Sequence, residues 1–316
     1  MTRMLCGIAA ALMLLTLGCR ADAPVTPPQA NAANAVVATL PFDNARAFED
    51  LKAQCAFGPR VPGTKPHAKC ADYIVDQLGP NVDEVRRQRF TWHDPHKNID
   101  VPMTNIFGII NPTAARKVML CAHWDTRPTA DQDFTVTNRS KPILGANDGA
   151  SGVAVLLELA RQLHEKKPDV GVILAFWDGE DWGPGEDAMY IGARHFAAKP
   201  EGLKPAEAVL IDMIGQKDVV IPLERTSTNK FPKLTEKVWS IAAKLGYAAQ
   251  FPQRVDYQIT DDHDALIAVG IPTIDLIDFN YAAWHTLEDT PDKCSPDSLG
   301  IVGKVLGAYV LAEPAS

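Results

Sequence analysis

The sequence predicts a single α/β domain with a central, mostly parallel, twisted sheet and helices on both of its faces. Three observations support this fold class. From about residue 105 onward, short apolar runs alternate with segments in which apolar residues recur at helical spacing. The run VGVILAFW (170–177) is apolar throughout and is bounded by polar turns, as a buried parallel strand should be. Strands that alternate with helices form parallel sheets that helices cover on both sides.

The predicted elements follow one another regularly along the chain. The first strand of the parallel sheet is 118–121, and the next segment, 149–164, has apolar residues at helical spacing. After the buried strand 170–177 the alternation continues, with a helix at 187–197, a strand at 206–213, a helix at 233–245, a short helix at 263–268, a strand at 272–277 and a last helix at 296–312. This alternation predicts one compact domain, and the chain length does not require a second one. No internal repeat is visible in the sequence.

The N-terminal segment is expected to lie outside this domain. Residues 1–18 are predicted to be a signal peptide, because the apolar run 4–18 is too short to span a bilayer comfortably. The run ends at Gly18-Cys19, which favours lipoprotein processing with a lipid on Cys19; a plain secretory signal cleaved shortly afterwards is the alternative. Residues 19–41 have the composition of a flexible tether. We therefore expect a protein exported to the periplasm, with its folded domain at 42–316.

Four cysteines belong to the predicted domain: Cys55, Cys70, Cys121 and Cys294. An oxidising compartment permits up to two disulfides among them. Cys55 with Cys70 is the favoured pair, because both lie on helical stretches joined by the turn-rich segment 58–63, and buried free thiols are an equal alternative. No Cys-x-x-Cys pair occurs in the sequence, which excludes a thiolate zinc site of the finger or ribbon type.

Composition and charge exclude several classes of function. The 316 residues are 46% hydrophobic and 22% charged, which is ordinary for a globular protein and excludes a disordered chain. Lys and Arg together number 31 against 39 Asp and Glu, which gives a net charge of -8. Phosphate contacts need a basic surface, so no nucleic-acid partner is expected, whereas a metal cation suits the acidic balance.

Polar side chains follow the predicted strands at the edge where open α/β sheets bind their ligands. They are His123 and Asp125 after the first strand, Asp178, Glu180 and Asp181 after the second, Asp212 at the end of the third, His285 beyond the last, and Asp148 at the start of the helix 149–164. Taken singly, an Asp at a helix start is most often a cap, and a lone His is most often structural. Converging carboxylate and imidazole groups without cysteine suit zinc, so a metal site explains the set better. In the pair Glu180-Asp181, one carboxylate can bind the metal while the other stays free as a base.

The order of these motifs resembles the zinc aminopeptidases of the M28 type and the glutaminyl cyclases that share their fold. The matching segments are HWD (123–125), GANDGASG (145–152), DGED (178–181), LIDM (210–213) and HT (285–286), with FGPRVPG (57–63) upstream. The similarity covers roughly residues 45–312. It implies a zinc exopeptidase-like fold and a zinc-dependent catalytic domain.

The resemblance leaves two branches that differ in their metals. In the aminopeptidase pattern, Asp148, Asp181 and His285 would bind one zinc, and His123 and Asp212 with the shared Asp148 would bind a second. In the cyclase pattern, the first three residues alone would bind a single zinc. Every one of these positions is filled in the sequence, so the ligands alone do not decide between one and two ions.

Other segments resemble the cyclases more than the aminopeptidases. They are DDH (261–263), GARHF (192–196) and Trp284 directly before the histidine. The resemblance implies that Glu180 moves the proton from the attacking α-amine to the leaving nitrogen. It further implies that Asp212 and Asp262 complete an acidic hydrogen-bond network, while Trp182 and Trp284 are expected to wall a pocket for the glutamine side chain.

The expected function is a zinc-dependent glutaminyl-peptide cyclotransferase with one zinc, which converts the N-terminal Gln of peptides or proteins to pyroglutamate and ammonia. A dizinc M28-type aminopeptidase is the alternative, and a non-catalytic periplasmic binding protein is disfavoured by the free carboxylate of Glu180. We expect a monomer whose one membrane attachment is the lipid on Cys19. One departure concerns Asp181, where much of the superfamily has Glu: the shorter side chain requires its loop to approach the metal more closely.

Overall fold

A six-stranded mixed sheet forms the centre of the fold in the computed structural model, which describes residues 37–314. The strands are β1 (Glu84–Asp94), β2 (Ile99–Ile110), β3 (Lys117–His123), β4 (Gly171–Trp177), β5 (Glu207–Asp212), β6 (Leu223–Glu224), β7 (Val255–Tyr257) and β8 (Thr273–Ile277). Their order in the large sheet is β1-β2-β4-β3-β5-β8, and β6 pairs with β7 separately. Strand β3 runs parallel to both of its neighbours, and β5 runs parallel to β8. The predicted α/β class with a mostly parallel sheet is confirmed.

The antiparallel part of the sheet was absent from the prediction. Strands β1 and β2 form a hairpin, and β2 adds antiparallel to β4. The charged sequence EVRRQRF at the start of β1 obscures a strand signal, because β1 is an edge strand with one face toward solvent.

Eight α-helices connect and cover the strands in the described part of the chain. They are α1 (Asn44–Ala56), α2 (Lys65–Leu78), α3 (Ala150–Lys166), α4 (Ile191–Ala198), α5 (Arg225–Lys230), α6 (Pro232–Lys244), α7 (Asp262–Ala268) and α8 (Pro296–Leu311). The predicted helix 187–197 is shorter than expected, because Tyr190 has a left-handed backbone (φ 58°) that separates a 3-10 turn from α4.

Two apolar layers hold the helices against the sheet. Helices α1, α2, α3, α6 and α8 pack on one face through the larger cluster, while α4 and α7 pack on the other through Phe196 and Leu266. Helix α3 approaches the sheet closely: a Cβ on Gly152 would lie 2.7 Å from Ala122 Cβ and 2.9 Å from Ile211 O. Glycine at this position therefore lets the first turn of α3 rest directly on β3 and β5.

All four cysteines of the domain are buried free thiols in the described residues. The favoured Cys55–Cys70 disulfide is thus wrong, and the alternative of free thiols is what the structure shows. Cys55 and Cys70 pack as small apolar side chains within the larger core cluster. The predicted signal peptide and Cys19 lie outside the described residues. Within residues 37–314, no helix is both long enough and apolar enough to cross a membrane.

Candidate metal centre and active site

The carboxyl ends of the parallel strands meet at one edge of the sheet and bring the predicted site residues together. His123 is the last residue of β3 and Asp212 the last of β5, while Glu180 and Asp181 follow β4. A cavity at this edge is lined by acidic, aromatic and amide side chains. Its walls include Asp148, Glu180, Asp181, Asp212, Asp261, Gln258, Phe279, Trp284, His285 and Arg127. The edge is where this class of sheet binds ligands.

Asp148, Asp181 and His285 form one group with the geometry of a metal site. One ligand atom from each lies within 4.8 Å of the other two, and all three side chains are buried. His285 Nε2 is 3.3 Å from Asp181 Oδ1 and 3.6 Å from Asp148 Oδ2. In the part of the chain that the structure describes, Asp148 Oδ2 and Asp181 Oδ2 are buried without a hydrogen-bond partner. Because unpaired buried carboxylate oxygens are costly, this group fits a divalent cation, and its N and O donors suit zinc.

Hydrogen bonds from Asp289 and a close backbone contact at Gly149 fix the loop that carries Asp148. Asp289 accepts hydrogen bonds from the backbone N–H groups of Asn147 (2.8 Å) and Asp148 (3.1 Å). Gly149 has a positive φ of 96°, and a Cβ there would lie 2.8 Å from Asp125 O. The local backbone therefore requires glycine after Asp148. The Gly-rich motif of the sequence thus serves to set the direction of one ligand.

Asp125 holds the loop that carries the acidic pair. Its two carboxylate oxygens accept hydrogen bonds from the backbone N–H groups of Glu180 (3.1 Å) and Asp181 (3.2 Å). The same motif that supplies His123 to the cavity therefore also fixes the acidic loop beside it. Asp125 acts through the backbone and lies outside the groups of ligand geometry found in residues 37–314.

His123, Asp148 and Asp212 form a second group with ligand spacing. His123 Nε2 lies 3.1 Å from Asp148 Oδ1 and hydrogen-bonds Asp212 Oδ1 at 3.2 Å. Burial lowers the pKa of His123, but the Asp212 carboxylate and its other acidic neighbours outweigh burial and raise that pKa well above its usual value. In this arrangement, the imidazole hydrogen-bonds Asp212 and forms an ion-pair contact with Asp148 Oδ1.

Glu180 and Asp181 are adjacent in sequence and have opposite electrostatic environments. Burial, together with the nearby Asp181, Asp261 and Asp262, raises the pKa of Glu180 well above its ordinary value. Burial also raises the pKa of Asp181, but His285 and Arg127 outweigh it, so that the pKa of Asp181 is lowered. Asp181 is therefore suited to remain an anionic ligand, and Glu180 is suited to exchange protons.

A cluster of buried carboxylates, called the acidic side below, reaches the cavity surface through Asp212 and Asp261. It consists of Asp212, Asp261, Asp262 and Asp275. Burial and neighbouring carboxylates raise the pKa of Asp261, Asp262 and Asp275 well above the ordinary value. Asp261 lines the cavity and caps α7, whereas Asp262 is buried at the first position of that helix. Asp275 was not predicted as a site residue. A carboxylate within the otherwise apolar strand TIDLI would have indicated a buried acidic group there.

The two predicted pocket tryptophans have different positions. Trp284 lines the cavity and stacks on His285, with ring centroids 3.9 Å apart. The prediction for Trp182 is wrong: its indole N–H donates to Asp94 Oδ2 at 2.8 Å, and its ring packs against Val101 and Met103. The aromatic neighbour of Trp284 in the cavity is instead Phe279, with ring centroids 4.9 Å apart.

Two further residues beside the metal group were not predicted. Arg127 donates to Asp181 Oδ1 at 2.8 Å, and Asp131 Oδ1 lies 3.3 Å from His285 Nδ1. Their only sequence signal is an Arg and an Asp four residues apart, which is typical of many surface pairs.

A model of peptidase family M28 matches residues 105–310, which include every residue of both ligand groups. The chain belongs to the M28 peptidase family. A glutaminyl-peptide cyclotransferase of Drosophila melanogaster is 31% identical over 288 residues, covering 80% of this chain and 78% of that relative. The M28 fold and the resemblance to glutaminyl cyclases are both confirmed.

Solved structures agree with this assignment. A Bacteroides thetaiotaomicron glutaminyl cyclase bound to N-acetylhistamine matches with a TM-score of 0.84 and 34% identity, covering 87% of this chain and 100% of that one. A Zn-dependent exopeptidase from Parabacteroides distasonis matches with a TM-score of 0.84 and 32% identity, covering 86% of this chain and 99% of that one. The M28 fold thus includes similar structures named as cyclases and as peptidases.

Proposed function

We propose that this M28 protein is a zinc-dependent glutaminyl-peptide cyclotransferase that converts the N-terminal Gln of peptides and proteins to pyroglutamate with release of ammonia. One observation carries the proposal: an open group of three metal ligands lies directly beside Glu180, a buried carboxylate suited to proton transfer. The Drosophila melanogaster and Bacteroides thetaiotaomicron cyclases support the same reaction.

One zinc ion would be held by Asp148, Asp181 and His285. When bound, it supplies Lewis acidity toward the side-chain amide carbonyl of the substrate glutamine. A single ion is favoured because His123 already hydrogen-bonds Asp212, whereas two carboxylate oxygens of the first group have no such partner among the described residues.

Glu180 performs the proton transfer in this proposal. The substrate α-amine attacks the side-chain amide carbon, a C–N bond forms, and the amine proton passes to Glu180. The same proton then goes to the leaving nitrogen, the original amide C–N bond breaks, and ammonia departs. A carboxylate whose pKa is raised toward neutrality is suited to both steps, because it must accept and return the proton at working pH.

Asp212 lies at the cavity wall and would hold the leaving amide, while burial raises the pKa of the neighbouring Asp262 well above its ordinary value and keeps a proton on that carboxyl. Trp284 and Phe279 give the cavity an apolar wall on which the methylene groups of a glutamine side chain can pack. Asp261 lies at the cavity surface beside them and offers a further acceptor.

A dizinc aminopeptidase is the second candidate, because His123, Asp148 and Asp212 also have ligand spacing. A side-by-side assay of Gln-initiated and Leu-initiated fluorogenic peptides decides between the two functions. Cyclisation of the Gln peptide with about one zinc per chain is the expected result. Hydrolysis of the Leu peptide with two tightly held zinc ions, measured by elemental analysis, would establish the aminopeptidase.

Export and lipid attachment form a separate part of the proposal. The apolar run 4–18 and the Gly18-Cys19 pair support a mature periplasmic protein that begins with an acylated Cys19. We expect Cys19→Ala to give a periplasmic form of unchanged activity that no longer partitions with membranes. Mass spectrometry that finds an unmodified N-terminus at another residue would contradict the lipid anchor.

A further inference from the structure

Arg127 is a buried cation in direct contact with one of the metal ligands. Its side chain lies in the loop after β3 and is only 5% exposed. Nη1 donates to Asp181 Oδ1 at 2.8 Å, while Nε and Nη2 donate to the two oxygens of Asp131 at 2.9 and 3.0 Å. A planar guanidinium matches a carboxylate in this two-bond geometry and holds its orientation. Arg127 therefore links Asp181 rigidly to Asp131.

Asp131 extends this link to a second ligand. Its Oδ1 atom lies 3.3 Å from Nδ1 of His285, an ion-pair contact without the geometry of a hydrogen bond. The opposite ring nitrogen, Nε2, faces Asp148 and Asp181. A carboxylate beside one ring nitrogen orients the imidazole and leaves the other nitrogen free to bind a metal. Arg127 and Asp131 thus form one bridge between Asp181 and His285.

The loop that carries Asp181 rests on the same guanidinium. Gly183 has a φ of 42°, and a Cβ at this position would lie 2.6 Å from Arg127 Nη1. Because three hydrogen bonds hold the guanidinium in place, glycine permits an approach that a larger residue would prevent. The side chain of Asp181 is short, so its loop has to lie close to the metal. The close packing of Gly183 on Arg127 agrees with this requirement. Arg127 occupies Oδ1, while Oδ2 lacks a hydrogen-bond partner within residues 37–314 and is left for the metal.

We propose that Arg127 and Asp131 are positioning residues that hold Asp181 and His285 together in the orientation that binds zinc. The inference rests on the metal site of the proposed function and adds the side chains that set its affinity. The third ligand, Asp148, is held independently through Asp289, so the bridge acts on two ligands of the three.

Zinc affinity tests the bridge directly, with the metal alone as probe and a chromophoric chelator as competitor. Arg127→Gln and Asp131→Asn are each expected to weaken zinc binding by roughly 10- to 100-fold, as is typical when the partner of a metal ligand is removed. The matched control is Arg161→Gln, which breaks another Arg–Asp contact, between α3 and α1 and away from the metal group (Arg161 Nη1 to Asp50 Oδ2, 2.6 Å). It is expected to lower thermal stability and to keep the zinc affinity of the wild type.

Two further measurements separate positioning from a general need for positive charge. Arg127→Lys keeps the positive charge but lacks the planar guanidinium that forms two parallel hydrogen bonds, so this variant is expected to bind zinc more weakly than the wild type. The double variant of Arg127→Gln and Asp131→Asn is expected to lose little more than either single variant, because both break the same bridge. With cobalt(II) in place of zinc, Asp131→Asn is expected to shift the visible d–d bands, which report ligand geometry.

Wild-type zinc affinity and an unchanged cobalt spectrum in Arg127→Gln and Asp131→Asn would overturn the proposal. Full affinity in Arg127→Lys would also overturn it, since charge alone would then suffice. If Arg127→Gln does not fold, as judged by circular dichroism, the nearly isosteric Asp131→Asn decides. A wild type that binds zinc but hydrolyses Leu peptides would refute the cyclase function. The positioning role of Arg127 and Asp131 would still be tested by the zinc affinities of their variants. A wild type that binds no zinc would overturn both.

Discussion

The two sides of the cavity contain the same type of residue in opposite electrostatic states. On the metal side, Asp181 is next to His285 and Arg127, and these cations lower its pKa although it is buried. On the acidic side, burial raises the pKa values of Asp261 and Asp275, and their charged neighbours are other carboxylates that raise these values further. The difference teaches that neighbours, rather than residue type or burial, decide which carboxylate remains ionised to bind a cation and which retains a proton.

Removal of a metal ligand is expected to have the largest effect. His285→Ala deletes one of three ligands, so we expect most of the zinc and more than about 10³-fold of the turnover to be lost, since a bound ion contributes several kcal/mol of charge stabilisation. Elemental analysis and a Gln-peptide assay measure the two losses. His195→Ala, on α4, is the control and should keep both. Full zinc content in His285→Ala would show that the metal lies elsewhere.

Replacement of Glu180 is expected to have the next largest effect and to separate chemistry from metal binding. Glu180→Gln keeps the size of the side chain and removes the proton acceptor, so kcat should fall by about 10²- to 10⁴-fold. Zinc content and KM should change little. Glu186→Gln, an exposed glutamate in the same cavity wall, is the matched control. Loss of zinc together with activity would instead make Glu180 a ligand.

A smaller effect is expected on the acidic side of the cavity. Asp262→Asn removes a buried carboxyl next to Asp212 but leaves the three metal ligands and Glu180 in place, so we expect kcat to fall by roughly 10- to 100-fold with zinc retained. Asp264→Asn, two residues along α7 and partly exposed, should have the activity of the wild type. A loss of zinc in Asp262→Asn would contradict the division of the cavity into two sides.

The convergence of the candidate ligands could be predicted from the sequence, because the carboxyl ends of parallel strands meet at one edge of the sheet. His123 and Asp212 are the last residues of β3 and β5 and therefore end at that edge. The direction of loop side chains was not predictable in the same way. Trp182 turns to Asp94 and the β1–β2 hairpin, and that hairpin was itself missed, so the partner of Trp182 could not be anticipated. Arg127 was missed because its role depends on a distance between two loops rather than on spacing in the sequence.

The smallest effect on activity, with a change in stability instead, is expected from Asp275 in β8. Both of its carboxylate oxygens are buried, and within the described chain neither has a hydrogen-bond partner. Asp212, Glu224, Asp262 and Asp264 are its acidic neighbours, and His263 Nδ1 lies 4.0 Å from Oδ2. Because its pKa is raised in the folded state, the folded protein retains a proton that the unfolded chain releases above about pH 4. Unfolding therefore becomes easier as pH rises from that value.

Asp275→Asn cannot titrate, so we expect it to remove this part of the pH dependence and to stabilise the protein at pH 8 by about 1–3 kcal/mol, the scale of an unsatisfied buried polar group. Guanidinium unfolding at pH 5 and pH 8 measures the difference, and turnover should stay unchanged. The matched control is Asp278→Asn just after β8, because Asp278 accepts hydrogen bonds from Val220 N and Gln216 and should lose stability when changed. A destabilised Asp275→Asn with the pH dependence of the wild type would show that Asp275 is ionised in the folded protein. The acidic side would then need a cation of its own, and the contrast between the two sides of the cavity would fail.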